Sequence, residues 1–132
     1  QSKLTLGNLD ASRDWGFAGD YVEAMHLMLQ AKSPDDYVVS TGETHSVREF
    51  VEVTLKFAGI DFEWTGDGVD TVAIAKDSGK EIVVCSKDFY RPAEVDLLLG
   101  DCSKATKKLG WKPKTKFESL AEMMINYELN LE

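Results

Sequence analysis

"SVREFVEVTLKFAGIDFEWTGDGVDTVAIAKDSGKEIVVC" (residues 46–85) carries two hydrophobic periods, one after the other. In its first part Val47, Phe50, Val51, Leu55 and Ala58 recur at helical spacing and share one stripe. Ser46 stands where that helix begins, and Glu49 completes a capping box. The serine oxygen can accept from the Glu49 amide, and the glutamate can reach back to the serine amide. Gly59 closes the helix. The period then changes to two. "DFEWTG" reads as a short strand, and "TVAIAKDSGKEIVVC" as two strands joined by a turn at Asp77, Ser78 and Gly79, an edge hairpin. A helix followed by three short strands makes this a small α/β protein.

Elsewhere the pattern is consistent with that class. Leu4 and Leu6 alternate with polar residues as a short strand, and residues 7–19 form a glycine-punctuated loop holding Trp15 and Phe17. Asp20 is placed to cap a helix running to Gln30, with Val22, Met25 and Leu29 on one face. "YVVST" reads as a buried strand. Asp101 caps a brief helix that Gly110 ends. Thr115 and Glu118 form a second capping box ahead of a last helix with apolar positions Leu120, Met124, Tyr127 and Leu131. Met25, Met28, Met123 and Met124 are expected to fill core.

Composition narrows the function. The 132 residues suffice for one domain with a modest core, and 43% apolar with 29% charged content is ordinary for a soluble protein. A net charge of -8 argues against nucleic acid or an anionic membrane as partner, since both need a basic face. No apolar run approaches a membrane span, and Cys85 and Cys102 suit a reducing, cytoplasmic setting better than a disulfide framework. The start at "QSKLTLG", without Met, reads as a cut within a longer polypeptide.

Several signals carry no chemistry. "GDGVD" at Gly66 lacks a third glycine and a following helix, so it is a turn and not a dinucleotide loop. His26 and His45 have no partner at zinc-ligand spacing, and Ser46 beside His45 is explained as a cap. No tyrosine is followed four residues later by lysine. Metal, cofactor and catalytic residues are therefore not assigned within this chain.

Arginine is scarce, with Arg13, Arg48 and Arg91 against twelve lysines. Arg48, in the first turn of its helix, reads as a solvated residue slightly opposed by the helix dipole. Arg13 in "SRDW" fits either a ligand contact or an ion pair with Asp14 or another acid. Arg91 precedes Pro92, which stiffens its backbone, and Glu94 follows three residues on. A guanidinium on a stiff loop can grip two phosphate oxygens, and a carboxylate suits the hydroxyls of a ribose. Arg91 with Glu94 is thus a reader of a nucleoside diphosphate, or equally an ion pair within the loop.

The runs "GNLDASRDWGFAGDYVEAMHLMLQ", "STGETHSVREFVE" and "FYRPAEVDLLLGDCSKATKKLGWKPK" together resemble the C-terminal part of GDP-mannose 4,6-dehydratases, extended short-chain dehydrogenase/reductase enzymes. "RDW" and "LGWKPK" are shared more widely among nucleotide-sugar enzymes. The resemblance implies that residues 1–132 are a small substrate-binding lobe, taking GDP-mannose. Arg13 and Arg91 would contact its diphosphate, and Glu94 its ribose. It also implies a Rossmann domain outside this chain, holding NADP, the catalytic residues and most of a homo-oligomer contact. The lobe alone is then expected to be inactive. A lobe of another nucleotide-sugar epimerase or dehydratase, or a freestanding binding module, are the alternatives. The hairpin at 71–85 fits an edge insertion or part of an oligomer contact, and the residues favour neither.

Overall fold

A computed structural model describes residues 2–91 and 95–130. In chain order the elements are β1 (Leu4–Leu6), β2 (Ser12–Arg13), α1 (Ala18–Leu29), β3 (His45–Ser46), α2 (Val47–Phe57), β4 (Phe62–Thr65), β5 (Val72–Ala75), β6 (Glu81–Cys85), α3 (Ser103–Leu109) and α4 (Phe117–Leu129), with one 3-10 turn at Gly68–Asp70. The α/β class with short strands and helices is as expected. Residues 1–11 and 46–96 form one compact unit, and residues 12–45 and 97–132 a second.

The first unit is a four-stranded sheet in the order β1-β6-β5-β4. Strands β4, β5 and β6 run as an antiparallel meander, and β1 joins β6 in parallel, Leu4 opposite Val83. The hairpin is therefore not at the edge, as its sequence suggested. Its two strands occupy the centre of the sheet, with Ala73 and Val83 buried beside Val51 of α2. Only these two strands have ladder partners on both sides, which is why they carry the unbroken apolar run. The turn at "GDGVD" is the 3-10 turn, with no helix of dinucleotide type after it.

Helix α2 obeys its sequence closely. Ser46 Oγ accepts from the Glu49 amide at 3.1 Å, and Glu49 accepts from the Ser46 amide at 2.6 Å. At the other end the Gly59 amide donates to the Lys56 carbonyl and the Ile60 amide to the Leu55 carbonyl. That pair of bonds is a Schellman motif, and Gly59 supplies the positive φ of 72° that it requires. Arg48 is less solvated than expected. Its guanidinium lies 4.9 Å from the Trp64 ring centroid and 3.6 Å from Asp10, while Trp64 donates its indole N–H to Glu52.

The second unit is held by different contacts. Its core joins Ala24 of α1, Ala105 of α3 and Trp111, with Tyr21, Met28, Tyr37 and Val39 packed around them. The two alanines let the helices approach closely, so α1 buries its small residue. The face expected to be buried points outward instead: Val22, Met25 and Leu29 are 61%, 59% and 83% exposed. Helix α4 likewise buries Phe117, Leu120 and Ala121 and leaves Met123, Met124 and Tyr127 exposed; Leu131 lies outside the described residues. Met28 packs against the Trp111 cluster, whereas Met25, Met123 and Met124 are exposed.

Asp20 is not the cap of α1, which begins two residues earlier. It lies buried in the first turn, where the dipole favours a carboxylate, and accepts from the Lys114 and Thr115 amides at 2.9 and 2.8 Å. Burial pushes its pKa up, but the bonds from Thr115 and Lys114 outweigh that and hold it below the usual carboxylate range. The Asp20 carbonyl also accepts the Trp111 indole N–H at 2.8 Å. Thr115 is thereby committed to Asp20. The expected second capping box is absent, and α4 starts from Lys116 with no side-chain cap. Asp101 does serve α3, although one residue before its N-cap, by accepting from the Ser103 amide at 2.8 Å. The stretch "YVVST" pairs with no strand among the described residues, although Tyr37 and Val39 pack against the Trp111 cluster.

Candidate functional site

Arg13 lies half-buried on β2 in the second unit. Its Nη1 donates to the neighbouring Ser12 carbonyl at 2.8 Å, and the Leu98 amide donates to that same carbonyl at 3.1 Å. The bridge between Ser12 and Leu97 continues this parallel contact. Arg13 thus stands beside residues 97–100 although these come much later in the sequence.

An open cleft of about 330 Å³ forms there, lined by Arg13, Asp14, Tyr21, residues 38–40 and residues 98–100. Val38, Leu98 and Leu99 give it exposed aliphatic walls. Ser40 and Gly100 meet closely, since a Cβ on Gly100 would sit 2.3 Å from the Ser40 Cβ. No side chain fits at that position without displacing the wall, so glycine is required. The Tyr21 phenol is pushed up in pKa by its partial burial and then by the charges of Asp14 and Asp20, so it stays a neutral donor.

Asp14 does not simply neutralise its neighbour. Its Oδ1 accepts from the Thr41 amide at 2.8 Å and the Thr41 hydroxyl at 2.6 Å. Its Oδ2 accepts from the Gly42 amide at 3.0 Å and the Gly100 amide at 3.4 Å. A guanidinium among the lining residues of an aliphatic-walled cleft is a group that can hold an anion next to an apolar surface.

The other two expected contacts stand differently. Arg91 is exposed and belongs to the first unit, and Glu94 lies outside the described residues. Asp14, Tyr21, Leu98, Leu99 and Gly100 were not singled out as cleft residues from sequence. The signal for Asp14 was present in "SRDW", where it appeared only as a salt-bridge partner.

The residues present do not fit a nicotinamide dinucleotide. Gly66 and Gly68 lead into a single 3-10 turn and not into a helix whose N-terminus could cradle a pyrophosphate. No group of histidines, cysteines and carboxylates suited to a metal occurs among the described residues, and no described helix is long and apolar enough to cross a membrane.

Comparison with known proteins bears on the family. Residues 1–124 match the GDP-mannose 4,6 dehydratase family. The GDP-mannose 4,6 dehydratase of Cricetulus griseus is 51% identical over 128 residues, covering 97% of this chain and 34% of that protein. The chain therefore spans about a third of the length of such relatives. Among solved structures, RMD from Pseudomonas aeruginosa complexed with NADPH aligns with a TM-score of 0.71 at 20% identity, over 95% of this chain and 35% of that one. UDP-glucose 4-epimerase from Thermotoga maritima with UDP-glucose aligns at 0.74 and 20%, over 98% and 36%. At such identities the structures speak for the fold alone. Sequence decides the family: the chain belongs to the GDP-mannose 4,6 dehydratases.

Proposed function

We propose that this chain is the nucleotide-sugar-binding lobe of a GDP-mannose 4,6-dehydratase. The observation that carries the reading is that Arg13 lines an aliphatic-walled cleft, within a chain half identical to such enzymes. Arg13 and Arg91 hold the diphosphate of GDP-mannose, and Glu94 accepts from the ribose hydroxyls. The complete enzyme converts GDP-mannose to GDP-4-keto-6-deoxymannose and water. NADP, where the complete enzyme holds it, would supply the hydride acceptor and donor for this loss of water. NADP and the groups that move protons lie outside these 132 residues, so the lobe supplies binding and orientation. Gripping the nucleotide lowers KM, and orienting the sugar is what binding energy can add to the chemical step.

The test is kinetic, in the full-length protein that carries this chain. Each of Arg13→Ala and Arg91→Ala removes a charged hydrogen-bond partner, so KM for GDP-mannose should rise by about tenfold or more. NADP affinity should stay unchanged. GDP should compete with substrate better than UDP or dTDP. An unaltered KM in both variants, or indifference to the base, would refute the assignment.

A further inference from the structure

One carboxylate ties together the two loop walls of the Arg13 cleft. Asp14 follows Arg13 in the chain, and its four hydrogen bonds reach Thr41, Gly42 and Gly100. Residues 38–40, immediately before Thr41, form one wall, and residues 98–100 form the other. The ring of contacts therefore closes through a single side chain. Its two oxygens accept on both sides, and four N–H and O–H dipoles stabilise its charge. This matters for Arg13. An adjacent carboxylate is the natural competitor for a guanidinium, and here its oxygens are turned to the loop amides.

We propose that Asp14 is the positioning residue of this site. It sets how the Arg13 guanidinium stands relative to the aliphatic walls, and so tunes affinity for a nucleoside diphosphate without touching the ligand. The inference rests on the reading of Arg13 as a diphosphate contact. Replacing Asp14 by asparagine is the informative change. One carboxylate oxygen becomes an NH2 group, so whichever way the amide lies, at least one backbone N–H faces another donor, even though the Thr41 hydroxyl can turn to accept. Either the Thr41 side or the Gly42 and Gly100 side must then move.

A double-mutant cycle in the full-length protein, with GDP as the probe and calorimetry as the readout, tests this. Asp14→Asn should weaken GDP binding about tenfold in the parent and hardly at all in an Arg13→Ala background, because the two changes remove the same interaction. A purely structural role for Asp14 would weaken binding equally in both backgrounds, and that result overturns the proposal. If Arg13→Ala alone leaves GDP binding unchanged, the diphosphate reading fails and the proposal with it. If Arg13→Ala weakens binding but Asp14→Asn does not, the diphosphate reading stands and the positioning role is refuted. Thr41→Val guards against an unfolded variant. It deletes the hydroxyl bond to Asp14 and the hydroxyl's longer contacts with the Glu43 backbone, but keeps the Thr41 amide bond to Asp14, and a severalfold weakening that also disappears without Arg13 supports the proposal. No weakening overturns it.

Discussion

In the first unit, ladder hydrogen bonds between neighbouring strands close the structure, and α2 adds its own caps and an apolar stripe. In the second unit, two aspartates perform the closing. Asp20 fastens the 111–115 segment to α1, and Asp14 fastens the 41–42 turn and Gly100 to β2. One unit repeats a backbone pattern many times, so each bond matters little. The other relies on a few side-chain acceptors, and each loss leaves several amides without a partner. The candidate ligand cleft lies in the unit built on few acceptors.

That contrast can be broken most directly at Trp111, which is 1% exposed and sits on the Asp20 carbonyl. Trp111→Ala should cost about 3–5 kcal/mol and lower the melting temperature more than any single change in the sheet. A small shift in calorimetric melting would mean that the second unit is held elsewhere. Asp20 sharpens the comparison through pH. Its folded pKa is lowered, so its stabilisation is complete at neutral pH and is lost as pH falls below about 4. Asp20→Asn should destabilise the chain by about 1–3 kcal/mol at pH 7. The gap between the two melting temperatures should narrow as both are taken down to pH 3. A constant gap would remove the carboxylate charge from the account. The smallest effect belongs to the first unit. Ser46→Ala deletes one half of a local capping box and should cost about 1 kcal/mol by urea denaturation, with Ser46→Gly milder. A larger loss there would erase the distinction between the units.

Legibility in the sequence followed the same division. The α2 box joins residues three apart, and the 77–79 turn joins adjacent strands, so both could be read from local spacing. The central place of the hairpin could not, because it depends on β1 arriving from the start of the chain. In the second unit Asp20 and Thr115 each resembled a helix cap. They are in fact partners of each other, across most of the sequence. Helix α1 misled for a related reason: its largest apolar residues suggested one face, while close approach to α3 demanded the face with Ala24. Arg13 was legible from "SRDW". The walls beside it come from residues 38–40 and 98–100, which no spacing rule connects.

The parallel pairing of β1 with β6 has a kinetic consequence. β1 is the shortest strand of its sheet, lies at an edge, and touches one neighbour only. Joining β5 to β6 closes a five-residue connection, whereas seating β1 must close nearly all the chain between Leu4 and Val83. Loop-closure entropy therefore sets the order of assembly, with the hairpin forming early and β1 docking last. Unfolding should retrace that order. In native-state hydrogen exchange the β1 amides should open well before those between β5 and β6. β1 is thus the last strand of its sheet to be incorporated and the first to be released.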